Sequence, residues 1–253
     1  MTPKGPLRTK GAVEFSLENR EDRAWMGRRI LDRSRLRELL RAGEIDPAAA
    51  ELRRLPGRRF VNPLRSALCS DERAKWSAVT LLGLLTAELA ERDLESARVV
   101  MRTLMWNLTE ESGGIAWGVP ESMAEIMACH EAMADEYAPI LVSYTRHDGN
   151  FLEYEPLQRG VMWGIGRLAG VRPEILRSND AGRYLLPYLE SDDGTVRGLA
   201  AWSLGLTRTR EAGAGLEALV GDREEVRIYL DRKLVVASVG ELASQALALI
   251  GED

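Results

Sequence analysis

Apolar positions recur at helical spacing along most of this chain, and three stretches can be laid over one another: residues 74–83, 157–166 and 196–205. Each closes on an apolar residue followed by glycine: Leu82-Gly83, Ile165-Gly166 and Leu204-Gly205. The last two also share a tryptophan, Trp163 and Trp202, three places before that glycine. Helical units that recur in this way cannot bury their apolar faces alone and must stack on their neighbours. The pattern predicts an all-α fold, an α-solenoid (α–α superhelix).

The punctuation divides the chain. Residues 1–15 contain Pro3, Gly5, Pro6 and Gly11 with little periodicity, which predicts a flexible arm. From Ser16 the pattern turns helical, with Trp25, Met26, Ile30, Leu31, Leu36, Leu39 and Leu40 in one run that Gly43 ends. Asp46-Pro47 predicts a capped short helix through Leu55. Residues 16–60 thus read as an N-terminal helical cap, and residues 61–253 as the solenoid. Within the latter, the spacing predicts helices over 64–69, 72–90, from Asp93 to Ser112-Gly113-Gly114, 120–130, 135–145 and 155–169. Residues 187–190 fall late in a leading helix, and Asp193 caps its partner, which ends near Gly205.

Residues 225–238 break the rule. They are rich in β-branched and aromatic residues with a polar centre, and predict a small β-hairpin turning around residues 231–233. An isolated hairpin is marginal in water, so this one has to pack against the helix expected over 239–250.

Composition fits a protein that buries a core: 45% of residues are apolar and 29% charged. Apolar runs are too short to span a membrane, which needs roughly 20 residues. The first residues lack the apolar segment of a secretory signal. Cys69 and Cys129 stand far apart without a CxxC, and a reducing cytoplasm is the expected compartment. The net charge of −5 is unevenly spread. Residues 1–75 carry 18 Lys/Arg against 11 Asp/Glu, and residues 76–253 carry 16 against 28. A body so acidic disfavours duplex DNA as a partner, and the arginine-rich front suits an external acidic partner, the acidic body itself, or pairing with nearby carboxylates.

The segment 187–205, with its Asp192-Asp193 turn and the Val196, Ala200, Leu204 stripe beside Arg197 and Gly205, resembles the HEAT-like repeat associated with phycobilisome lyases. The resemblance is fair over residues 63–83 and 155–169. It implies fold more than activity, since HEAT proteins include scaffolds, chromophore lyases, a di-iron hydroxylase and DNA glycosylases. The di-iron branch requires several His-Glu pairs. This chain has two histidines and one such pair, His130-Glu131. No metal, cofactor or catalytic set is therefore expected.

Two regions carry candidate binding chemistry. Residues 106–121 gather Trp106, Trp117, Glu110, Glu111, Glu121 and three glycines about a loop, where the tryptophans are expected in the core. The carboxylates there, with Trp117 and His130, offer an enzyme or small-molecule pocket as the alternative reading. The second region follows from the expectation that the second helices of such repeats line the inner curve. Tyr154, Arg159, Trp163, Arg167, Arg197 and Trp202 then share an open face whose Trp and Arg content is that of interface hot spots. The primary reading is a non-catalytic scaffold that grips a protein or peptide through that face.

Overall fold

The computed structural model describes residues 31–109 and 116–251. The arm expected over 1–15, the first third of the expected cap (residues 16–30), and Glu110 and Glu111 lie outside the described residues. Helices α1 (Arg33–Ala42), α2 (Ile45–Arg53), α3 (Val61–Leu68), α4 (Glu72–Ala90) and α5 (Leu94–Thr109) form the first part. After them come α6 (Val119–Cys129), α7 (Glu131–Ser143), α8 (Glu155–Ala169), α9 (Pro173–Ser178), α10 (Ala181–Leu185) and α11 (Gly194–Thr207). The chain ends with α12 (Gly213–Leu219), strands β1 (Glu225–Leu230) and β2 (Lys233–Ser238), and α13 (Val239–Gly251). Helices α4, α6, α8, α11 and α13 pack each on the next as an inner row, while α3, α5, α7, α9 and α12 flank it. This is the solenoid that the repeated stretches predict.

The repeat glycines have a physical reason. A side chain at Gly83 would run into Glu125 of α6, and one at Gly166 into the Trp202 ring of α11. At Gly205 a Cβ would sit 2.6 Å from the Ala246 Cα of α13. The glycine that closes each stretch is where the next inner helix comes nearest. Side-chain caps start α4 and α11: Asp71 accepts from the Ala74 amide and Asp193 from the Val196 amide, both at 3.0 Å. Asp93 caps α5 in the same way through Ser96.

Some boundaries differ from expectation. The periodic run ending at Gly43 is broken at Asp32, whose carboxylate accepts from the Ser34 and Arg35 amides, so α1 begins at Arg33. Asp46 is not a cap. Gly43 adopts φ +77°, Glu44 N–H returns to the Leu39 carbonyl, and α2 starts directly at Ile45, leaving Asp46 in its first turn. Helix α7 begins at Glu131 rather than Asp135, because the extended backbone of His130 separates it from α6. Residues 186–190 form a 3-10 turn instead of the end of an α-helix.

The hairpin forms where the β-branched pattern places it, with Leu230 paired to Lys233 across a two-residue turn. Asp231 (φ +48°) and Arg232 (φ +63°) both adopt the left-handed conformation such a turn requires. Val226 and Ile228 are buried, and Val226 fills the space over Gly198 of α11. The hairpin is therefore seated on α11 as well as on α13.

Candidate functional site

The hairpin does not stay with the C-terminal helices. It lies across the inner row and reaches α4, some 150 residues earlier in the chain. The Tyr229 ring stacks on Trp76 of α4, with centroids 4.6 Å apart and planes 8° from parallel. Its hydroxyl lies 3.1 Å from Thr80 Oγ1, and its carbonyl accepts from Trp163 Nε1 of α8 at 2.9 Å. The Trp163 indole thus satisfies backbone on β1 that a further strand would otherwise have to pair. Arg227 adds an ion pair to Glu72 at 2.5 Å.

With the hairpin in place, the inner face holds two clefts. The first, about 460 Å³, is bounded by all four of α4, α6, α8 and α11 together with the hairpin tip. Leu84, Trp163, Val171, Trp202 and Tyr229 give it an aromatic and aliphatic lining, with Cys129 at one side. The second, about 690 Å³, lies on the other side of Tyr229, against the start of α4 and the α1–α2 turn.

Of the residues proposed for an inner binding face, the structure brings Trp163, Arg167 and Trp202 together in the first cleft. Trp163 is only 3% exposed, because Tyr229 and Trp76 cover it. It is a wall under the hairpin, not an open contact surface. The arginines are engaged between neighbouring repeats. Arg167 donates to Glu125 at 2.7 and 3.1 Å, Arg159 to Asp193 at 2.8 Å, and Arg197 to Asp222 at 2.8 Å and Glu224 at 3.1 Å. Together with Lys75 and Glu121 at 2.6 Å, these pairs link successive inner units as rungs. Tyr154 is exposed at the start of α8 and lines neither cleft.

The tryptophans flanking 110–115 are not in the core: Trp106 is 68% and Trp117 46% exposed. Their apolar neighbours on the helices already fill the interior, so spacing alone misplaces them. Glu121 is 3% exposed, pressed against Gly160 and tied to Lys75. His130 lies at the opposite end of α6, about nine residues or roughly 13 Å along the helix axis. The described residues therefore do not assemble a Trp117–Glu121–His130 pocket. His130 is largely enclosed, with Nδ1 buried and unpartnered, and Cys129 beside it reaches solvent. No group of three or more metal-ligating side chains occurs among the described residues.

Sequence reasoning passed over Tyr229 and Thr80, which have no motif. Only the hairpin signal and the tryptophan of the first repeat, Trp76, pointed toward them. Cys129 gives the first cleft a chemical reporter. Although the residue reaches solvent at the cleft, its thiol sits among packed groups 3.8 Å from Glu125 Oε1, and that partial desolvation together with the carboxylate pushes its pKa up to about 11. Thiolate is the reacting form, so at pH 8 only about one thiol in a thousand is reactive. Iodoacetamide labelling of Cys129, read peptide by peptide in a mass spectrometer, is expected to climb about tenfold per pH unit through pH 10. A plateau near pH 9 would show an ordinary thiol and refute this environment.

A family model for the HEAT-like repeat matches residues 155–206, the span from α8 to α11. No curated protein matches the sequence. Among solved structures, a designed armadillo repeat protein, YIII(Dq.V1)4CPAF in complex with the peptide (KR)4, superposes with a TM-score of 0.55 at 16% identity, covering 94% of this chain and 96% of that one. A computationally designed armadillo repeat protein for modular peptide recognition gives a TM-score of 0.51 at 18% identity, covering 86% and 92%. An engineered protein, target OR329, gives 0.53 at 17% identity, covering 86% and 89%. At such identities these likenesses concern the fold, and none of them carries the lyase subtype. The chain thus carries a HEAT-like repeat over residues 155–206, and its stacked inner row has an armadillo-like α-solenoid fold.

Proposed function

We propose that this protein is a binding scaffold that holds a peptide, or a segment of a protein partner, on the inner face of its solenoid. The observation that carries the reading is the first cleft. Four successive inner helices and the hairpin converge on one aromatic-lined recess of about 460 Å³. That volume falls in the range of roughly 300–1,000 Å³ typical of ligand sites. Trp and Tyr in a shaped recess are the anchors from which much of the binding energy at interfaces comes. Of the designed armadillo proteins with this fold, one is described as made for modular peptide recognition and another is in complex with a peptide, which supports the same use of the face here.

The reading is tested with peptides selected from a display library on the unmodified protein. Val171 and Cys129 are exposed on the first cleft's wall, so changing both to Asp alters the recess without opening the core. Selected peptides are expected to bind the Val171→Asp/Cys129→Asp variant at least about tenfold more weakly, since unpaired charge is placed in an apolar recess. A Trp106→Ser/Trp117→Ser variant, altered outside both clefts, is expected to bind as before. Equal binding to the cleft variant, or loss on the tryptophan variant alone, would place the interaction elsewhere.

A further inference from the structure

We infer that the second cleft is a docking site for an acidic peptide segment. This rests on the scaffold reading above and names the chemistry of the partner. The cleft's floor is aromatic: Trp76 and Tyr229 stack within it, and Leu234 of β2 continues the apolar surface. Its charges are unbalanced. The two carboxylates on its wall are already held, Asp71 by Arg41 at 2.9 Å and by the α4 amide it caps, Glu72 by Arg227. Those contacts keep Asp71 ionised, its pKa lowered first by the Ala74 amide.

The cations Arg73, Arg232 and Lys233 also line the cleft, are exposed, and have no ion-pair partner among the described residues. Arg73 extends over Gly43 at the carboxyl end of α1, a place where the helix dipole favours positive charge. Arg232 comes from the hairpin turn and Lys233 from the start of β2, on the other wall. Three uncompensated cations therefore face one another across an aromatic floor. The protein as a whole is acidic, so this local excess is not a consequence of overall composition. The first cleft, which shares Arg232, differs: its lining holds two carboxylates, Glu125 and Asp231, and only one further cation, Arg167. A segment with Glu or Asp alternating with apolar residues matches the second cleft in both respects, carboxylates to the rims and apolar side chains to the floor.

The test uses short fluorescein-labelled peptides in which Leu alternates with Glu, with Lys or with Ser, and a single-stranded oligonucleotide as a polyanion without apolar side chains. Fluorescence anisotropy at low salt gives their affinities for the full chain. The Glu peptide is expected to bind most tightly and to weaken with added salt. Binding should fall about tenfold or more in the Arg73→Glu/Arg232→Glu/Lys233→Glu variant. An Arg73→Gln/Lys233→Gln variant, which leaves the hairpin turn intact, should lose an intermediate amount. Tighter binding of the Lys or Ser peptide or of the oligonucleotide, or undiminished Glu-peptide binding after charge reversal, overturns the inference. If the Lys or Ser peptide binds and is lost on changing Val171 and Cys129, the scaffold reading stands while the acidic partner falls. If no peptide of any charge binds, both fall.

Discussion

Replacing Lys75 with methionine is expected to cost about 3 kcal/mol of stability, the larger share of it from what is left behind. Lys75 Nζ lies 2.6 Å from Glu121 Oε1, and the Glu121 side chain is nearly enclosed against Gly160 of α8. Truncating the ammonium strands a carboxylate between α4, α6 and α8 and also removes the cation 4.9 Å above the Trp76 ring. Breaking such a pair from one side costs much more than replacing both members with apolar groups. Denaturant titration should therefore show Lys75→Met strongly destabilised and Lys75→Met/Glu121→Met within about 1 kcal/mol of the unmodified protein. A double variant as unstable as the single one would mean that Glu121 is not stranded by the loss of its partner.

Gly205→Val is expected to destabilise by about 3 kcal/mol through overpacking at the α11–α13 seam. The added Cβ would fall 2.6 Å from Ala246 Cα, backbone that moves only if the two helices separate. By itself, helix propensity works the other way, since glycine is about 1 kcal/mol worse than alanine in a helix. Gly213→Ala separates the two effects, because nothing lies within 4 Å of the Cβ it would add at the start of α12. Thermal unfolding should show Gly213→Ala unchanged or slightly stabilised, and Gly205→Val lowered by about 8 °C. Equal shifts in the two variants would refute the claim that the repeat glycines mark close approach.

These glycines also explain how much of the fold the sequence carried. A stacked repeat imposes the same local requirement in each unit, so Gly83, Gly166 and Gly205, each met by the following inner helix, repeat visibly along the chain. Capping is local as well, which is why Asp93 and Asp193 read correctly. The break at Asp32 was hidden because its flanking apolar residues keep the helical spacing through the cap. The candidate site was legible in part. Trp163, Arg167 and Trp202 do converge, since they share one face of the inner row. What periodicity does not contain is which partner each side chain finds across the fold. The carboxylates that hold Arg159 and Arg167 come from units 34 and 42 residues away, and the tyrosine that covers Trp163 comes 66 residues later. The hairpin itself was predicted from its β-branched residues, but its passage across the inner face to Trp76 depends on a tertiary stack with no local signature.

That passage of the hairpin defines both clefts, and a double-mutant cycle between Trp76 and Tyr229 tests it most directly. Denaturation free energies of Trp76→Ala, Tyr229→Ala and the double variant yield the coupling between two residues far apart in sequence. Stacked rings at 4.6 Å predict a coupling of about 1 kcal/mol, with the double variant less unstable than the sum of the singles. Effects that add to within about 0.3 kcal/mol would mean that the two rings do not touch, and that the hairpin does not divide the inner face.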